Sequence, residues 1–185
     1  MDRIAPESSL LLIVDVQERL SAAMPKETFD KLVKNTCILV EAAALLDVPV
    51  LASEQYPKGL GRTVSPVLDL LMKRGISPHE KLDFDAASEP RISSEIGRLS
   101  PRSIVLIGME SHVCVFQTAR ELVRRGHVLH VVSDAVASRT EENRVAGLRL
   151  SERAGALITV AETVVFDWLG RAGTDVFRAV SKLVR

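Results

Sequence analysis

Ser103-Ile104-Val105-Leu106-Ile107-Gly108-Met109-Glu110-Ser111-His112-Val113-Cys114 decides the fold of this chain. A nearly continuous apolar run is what a parallel strand covered on both faces requires. Gly108 then opens a turn, and Thr118, Leu122 and Arg125 continue, at helical spacing, a helix begun near Cys114. A strand that passes through a glycine turn into a helix is the unit of an α/β sheet. The chain repeats it: short β-rich runs at 9–14, 48–52, 79–82, 103–107, 128–132 and 157–160 alternate with longer helical stretches. This alternation predicts a three-layer α/β/α, doubly wound fold with a six-stranded, mainly parallel sheet and right-handed crossovers, read as a single domain over residues 1–185.

Local signals mark the joints. Phe29, Leu32, Val33, Thr36 and Val40 recur at three- and four-residue spacing, as do Ile92, Ile96 and Leu99. Asp47-Val48-Pro49 ends one helix and opens a strand, because the residue before proline avoids the α region. Gly126 and Gly155 stand where helices should end, and Thr140-Glu141-Glu142-Asn143 reads as an N-cap followed by acids that suit the helix dipole. The stretch 53–63, with Tyr56-Pro57-Lys58-Gly59-Leu60-Gly61 at its centre, is read as an irregular loop that overhangs the same sheet edge as Asp15. Near the C-terminus, Phe177, Val180, Leu183 and Val184 fall on one helical face, either packed on the domain or in a subunit contact.

The bulk properties narrow the function. Lys+Arg and Asp+Glu are 24 each, so neither a nucleic-acid groove nor a membrane surface is indicated, and low net charge favours self-association. Two cysteines without CxxC or zinc spacing imply single-site thiol chemistry in a reducing compartment. No signal-type stretch or membrane span is evident, and the expected location is cytoplasmic.

Three polar residues follow apolar runs. Asp15 closes Leu10-Leu11-Leu12-Ile13-Val14, Lys81 lies in His79-Glu80-Lys81-Leu82-Asp83-Phe84, and Cys114 follows the fourth strand. Taken singly, each has an ordinary role: Asp15 as an N-cap, Lys81 as a surface lysine, Cys114 as a small buried hydrophobe. Together, at the carboxyl ends of parallel strands, they can converge, as active sites of open α/β sheets do. A thiol in the first turn of a helix meets unpaired N–H groups and a dipole that favour a thiolate and can receive an oxyanion. A carboxylate can take the thiol proton while a cation keeps that acid ionised. Cys37, mid-helix, is expected to be inert packing, and His112, two residues from Cys114 on a helix, is a poor partner for it.

These residues, with Ile13-Val14-Asp15-Val16-Gln17, Gly108-Met109-Glu110-Ser111-His112-Val113-Cys114 and Ser133-Asp134-Ala135-Val136-Ala137-Ser138-Arg139, resemble the isochorismatase-like cysteine hydrolase superfamily from about residue 9 to residue 183. Ser53-Glu54-Gln55-Tyr56-Pro57-Lys58-Gly59-Leu60-Gly61 is similar to the branch containing isochorismatase-domain-containing protein 2. The resemblance implies Asp15 as general base, Lys81 as its electrostatic partner and Cys114 as nucleophile. It also implies a cis peptide between Met109 and Glu110, with the Glu110 and Cys114 N–H groups forming an oxyanion hole. The implied reaction is hydrolysis of a C–N bond in a small amide, imide or ureide through a thioester. Metal-binding branches place Asp-x-His and a further histidine where this chain has Glu54-Gln55-Tyr56, so neither a metal nor another cofactor is expected. Gln17, Glu54, Tyr56, Phe84 and Ser111 are the expected substrate-binding residues. The open alternatives for Gln17 are substrate or backbone, and for Glu54 and Tyr56 pocket wall or loop anchor. The expected partners are a small-molecule substrate and further copies of the chain, as a dimer or larger homo-oligomer. The rival readings are a catalytically weak binding or scaffold protein of the same fold and a redox-responsive thiol protein.

Overall fold

The computed structural model describes residues 2–184. Its six strands are β1 (Ser9–Val14), β2 (Val50–Gln55), β3 (His79–Lys81), β4 (Ser103–Met109), β5 (Val128–Ala137) and β6 (Leu157–Thr159). The main helices are α1 (Lys26–Leu45), α2 (Ser65–Lys73), α3 (Pro90–Leu99), α4 (Phe116–Arg124), α5 (Glu141–Arg153), α6 (Ala161–Leu169) and α7 (Asp175–Val180). The strands lie in the order β3-β2-β1-β4-β5-β6, and every adjacent pair is parallel. This is the doubly wound α/β/α architecture expected from the sequence. The chain winds outward from β1 to β3, then returns to the centre and winds the other way from β4, so the switch point lies between β1 and β4.

Strand β1 shows why both faces must be covered. Leu11 and Ile13 project into a core layer that contains Leu32, Leu39 and Val40 of α1 and Val164, Val165 and Trp168 of α6. Leu10, Leu12 and Val14 project the other way, into a layer with Ile92 and Ile96 of α3 and Ala119 and Leu122 of α4. All six residues of β1 are buried. Burying a single Leu or Ile side chain contributes about 1.5–3 kcal/mol, so this strand alone commits the chain to a sandwich of helices about the sheet.

Three strands extend past the expected runs: β4 continues through Gly108 to Met109, and β2, which begins at Val50 rather than at 48, and β5 carry on through polar residues. β2 continues through Ser53, Glu54 and Gln55, and β5 continues to Ala137. Hydrophobic pattern ends a strand at its last apolar residue. Here the ladder carries on because the polar side chains find partners inside the fold. In the stretch 53–63 the structure corrects the expected irregular loop: Pro57–Leu60 forms one helical turn. Proline fits the first position of a helix, where no donor is needed, and the Gly59 and Leu60 N–H groups both donate to Tyr56 O. Tyr56 (φ 38°) and Gly61 (φ 77°), both left-handed, bound the turn. At the C-terminal end Val180 is buried, Leu183 and Val184 pack against the α1/α6 layer, and Phe177 meets Phe166 edge-on at 6.4 Å between ring centroids. Among the described residues no helix is long and apolar enough to cross a membrane.

Gly108 is the tightest point of the sheet. It pairs with Val14, has φ 127°, and a Cβ there would stand 1.9 Å from the Val14 carbonyl oxygen. Gly108→Ala is therefore expected to lower stability to urea by about 2–5 kcal/mol, through backbone strain plus forced separation of β1 and β4. Gly97→Ala, in α3 with nothing within 4 Å of the added Cβ, is the control and is expected to stabilise by about 0.5–1 kcal/mol.

Candidate active site

Register brings the three singled-out residues together. Val14 is level with Ser53 of β2 and with Gly108 of β4, while Gln55 of β2 is level with Lys81 of β3. Asp15 therefore leaves β1 between the ends of its two neighbours. It does so with φ 54°, a left-handed conformation tolerated by aspartate better than by most side chains, and a mark of functional sites.

The carboxyl group of Asp15 is fully buried and held from two sides. Lys81 Nζ lies 2.7 Å from Oδ2, with both side chains at 0% exposure, and Ser53 Oγ donates to Oδ1 at 2.7 Å. Lys81 also donates to Gln55 Oε1 at 2.6 Å, to Asp83 O at 3.1 Å and to Phe84 O at 3.2 Å. The ammonium is thus surrounded by acceptors. Burial pushes the Asp15 carboxyl above its ordinary range, and the Lys81 charge, with hydrogen bonds from Lys81, Ser53 and Cys114, offsets part of that rise.

Cys114 sits in the turn Ser111–Val115, a wide π-type turn that leads from β4 into α4. The Val115 N–H donates to Glu110 O and the Phe116 N–H to Ser111 O, and neither of these bonds uses the Cys114 N–H. The peptide between Met109 and Glu110 is cis. The thiol and the Asp15 carboxyl are close enough for each to shift the other's ionisation. Burial, then the charge of Asp15, push the thiol up to about 12, with Lys81 pulling the other way. Burial at 6% exposure and the Asp15 charge both oppose the thiolate that a helix terminus favours. Cys37 is half-buried in α1, and its thiol is also pushed up, by burial and then by Glu41.

The remaining candidates divide into anchors and exposed groups. Gln17 Oε1 accepts from Gln55 N–H at 2.8 Å, and its Nε2 donates to Gln55 O and Gly61 O, so both ends are bound to backbone. Glu54 Oε1 accepts from Thr63 N–H at 2.7 Å, from Thr63 Oγ1 and from Arg62 Nε, which ties down the turn after β2. The Ser111 hydroxyl is shared with Ser138 Oγ at 2.9 Å and with Arg144 O at 3.1 Å. Tyr56 and Phe84 are half-exposed, and Leu82, at 76%, is the most exposed large apolar side chain beside the site. Tyr56 and Leu82 line a cleft of about 520 Å³ that reaches Lys81, Asp83 and Glu89, and its lining does not include Asp15 or Cys114. Among the described residues no three His, Cys, Asp or Glu side chains form a group suited to a metal.

Several participants were not singled out in the sequence. Ser53 and Gln55 complete the Asp15–Lys81 shell, and Arg139 clasps Glu110 through Nη2–Oε1 at 2.6 Å and Nε–Oε2 at 3.0 Å. Burial pushes the Glu110 carboxyl up, but the Arg139 side-chain and main-chain donors outweigh it and hold the group below its usual range. The available signal was positional: Ser53 and Gln55 continue an apolar strand on the side where Asp15 ends its own. His112 Nδ1 meets Ser138 Oγ at 3.1 Å, His127 Nδ1 meets the Pro101 carbonyl, and His130 is buried in β5.

Comparison with known proteins identifies the family. The isochorismatase domain model matches residues 9–162. The chain belongs to the isochorismatase-domain family. It is 34% identical to isochorismatase domain-containing protein 2A of Mus musculus over 186 residues, which covers 100% of this chain and 86% of that one. It is 36% identical to the secreted isochorismatase effector Isc1 of Phytophthora sojae, covering 100% of this chain and 88% of that protein. The structure of the MAR1 ribonuclease from Caenorhabditis elegans superposes with a TM-score of 0.91 at 33% identity, over 99% of this chain and 92% of that one. Family membership supports a hydrolase-type enzyme.

The buried ion pair has a measurable signature. Lys81→Met is expected to lower stability at neutral pH by about 3–5 kcal/mol, because it strands a buried carboxylate. Without Lys81, burial is opposed only by the Ser53 and Cys114 hydrogen bonds and sets the Asp15 carboxyl still further above its unfolded value of 3.8. A raised folded-state value contributes stability that is present below the unfolded value and lost as pH rises through the folded one. The variant should therefore recover stability relative to the parent as pH falls through the weakly acidic range. Urea unfolding at several pH values checks this, and a pH-independent difference would contradict it.

Proposed function

We propose that this protein is a cysteine hydrolase that cleaves the C–N bond of a small amide, imide or ureide through a thioester, using Cys114, Asp15 and Lys81 and no metal. The observation that carries the reading is a buried thiol beside a buried Asp15–Lys81 ion pair, at the ends of β4, β1 and β3. The substrate carbonyl oxygen would lie against the N–H groups of Glu110 and Cys114. As Sγ adds to the carbonyl carbon, the thiol proton passes to Asp15, so no thiolate exists beforehand and the raised thiol value is no obstacle. Asp15 then returns that proton to the nitrogen, the C–N bond breaks, and ammonia or an amine leaves. Water adds to the thioester with Asp15 as base, which releases the acid and restores the thiol. Lys81 acts electrostatically throughout, since it lowers the energy of the ionised Asp15.

A nucleophile at 6% exposure restricts the substrate to a small molecule that enters as the site opens. The same closure favours a second reading, a fold-retaining binding protein with little turnover. A redox-responsive role is disfavoured, because oxidation selects exposed, low-pKa thiols and Cys114 is neither. Near-zero net charge, together with exposed Leu82, Phe84 and Tyr56, supports self-association. Light scattering is expected to give a dimer or larger species, and a monomer at micromolar concentration would contradict it.

The decisive test is ammonia or amine release from a panel of small amides and ureides under EDTA, with Cys114→Ala in parallel and an RNA oligonucleotide as a further substrate. Cys114-dependent release that survives EDTA is expected. RNA cleavage without amide turnover would replace the reading with the activity named for the worm relative, and silence throughout would favour the binding protein. Asp15→Asn separates proton transfer from thiol reactivity. Turnover should fall by about 10²–10⁴-fold with loss of the acid–base group. Alkylation of Cys114 by iodoacetamide near neutral pH should instead accelerate, because the negative charge that raises the thiol value is gone. Unchanged turnover in a folded Asp15→Asn would sink the assignment of Asp15 as base.

A further inference from the structure

The turn that carries Cys114 is fixed by contacts that come neither from β1 nor from β3. A Cβ on Gly147, in the middle of α5, would lie 2.4 Å from the Ser111 carbonyl carbon and 2.5 Å from the His112 N atom. The backbone of α5 therefore rests directly on the backbone of the nucleophile turn, with no side chain between them. From the end of β5, Ser138 Oγ accepts from Ser111 N–H at 3.1 Å, exchanges a hydrogen bond with Ser111 Oγ at 2.9 Å and meets His112 Nδ1 at 3.1 Å. Ser111 Oγ in turn donates to Arg144 O in the first turns of α5. Ser138 and Ser111 are each 1% exposed.

We infer that Gly147 and Ser138 form a clamp that positions the nucleophile: the glycine sets how closely α5 approaches the turn, and the serine hydroxyl fixes the turn's rotation, so that the Cys114 thiol is held on the Asp15 side of the turn. Neither residue touches substrate. Both act through Ser111 and His112, three and two residues before the thiol. The inference rests on the proposed hydrolase reading for its functional meaning, but the geometry it asserts is independent of turnover. A methyl group at position 147 must push the turn away from α5, since what it meets is backbone and cannot rotate aside. Loss of the Ser138 hydroxyl frees the Ser111 N–H and removes the partner of His112. In both cases the thiol should drift from the carboxylate that suppresses its ionisation.

The test uses the full chain with Cys37→Ser, so that iodoacetamide reports Cys114 alone, and follows the alkylation rate from neutral to strongly alkaline pH. Variants Gly147→Ala and Ser138→Ala are compared with the parent and with Gly97→Ala. The parent profile should rise only toward about 12. Both clamp variants should move it downward and raise the rate near pH 8 by at least tenfold, while kcat on the amide falls with KM little changed. Gly97→Ala should match the parent. Should Gly147→Ala fail to fold, Ser138→Ala decides. A folded variant with the parent's profile and kcat overturns the clamp and leaves the hydrolase reading standing. A parent profile that already rises near 9 shows that the closed site does not suppress the thiol, which overturns the clamp and leaves the hydrolase reading to the amide panel.

Discussion

A carboxylate and an ammonium sealed from water must satisfy each other and every remaining donor and acceptor, and the carboxyl ends of β1, β2 and β3 are arranged around that demand. Asp15 and Lys81 come from strands that are not adjacent, with β2 between them. Ser53 and Gln55, from that intervening strand, supply a donor to the acid and an acceptor to the amine. The carbonyls of Asp83 and Phe84 then force the chain after β3 to fold back over the ammonium. Replacement of the pair by well-packed apolar residues would remove the need for all of this, since buried ion pairs are costly to desolvate. The pair also acts on Cys114, whose thiol Asp15 pushes up and Lys81 pulls down.

The same layout explains how the site can be closed and still be chemically competent. An exposed low-pKa thiolate would be reactive toward any electrophile in its surroundings. A thiol held near 12 beside a carboxylate is inert until a carbonyl is present to accept the electron pair as the proton leaves. Proton transfer and bond formation are thereby coupled. The loop anchors serve this closure: Gln17 and Glu54 bind the turn 56–61 and Thr63 to the sheet edge, and hold the wall around the ion pair rather than reaching into it.

Much of this was legible in the sequence. Strand β1 was legible to the residue, because its apolar run is bounded by polar groups on both sides and both of its faces are buried. Asp15, Lys81 and Cys114 were legible because each interrupts or follows such a run. Strands β2, β4 and β5 were read short at their carboxyl ends, and β2 was begun two residues early, since Ser53, Glu54 and Gln55, Gly108, or Ser133 and Asp134, break the apolar pattern. Those residues stay in the ladder because their partners lie far away in the chain. Gln17 Nε2, for example, meets the Gln55 carbonyl, 38 residues on. The roles of Gln17, Glu54 and Ser111 could not be fixed for the same reason: whether a polar side chain faces substrate or backbone depends on donors supplied from elsewhere. Gly147 was invisible, because a glycine inside a helix gives no hint of what rests upon it.

The near-complete cover over Cys114 makes access a kinetic variable. A group exposed only when its surroundings part is labelled no faster than those surroundings move, however concentrated the reagent. Its reaction with a bulky electrophile should therefore level off at a ceiling set by the protein, while a reagent small enough to slip past the wall keeps gaining speed with concentration. For anyone seeking a covalent inhibitor, the warhead's intrinsic reactivity would then matter less than its width. Compounds ranked on free thiols would be reordered by the time the wall spends open.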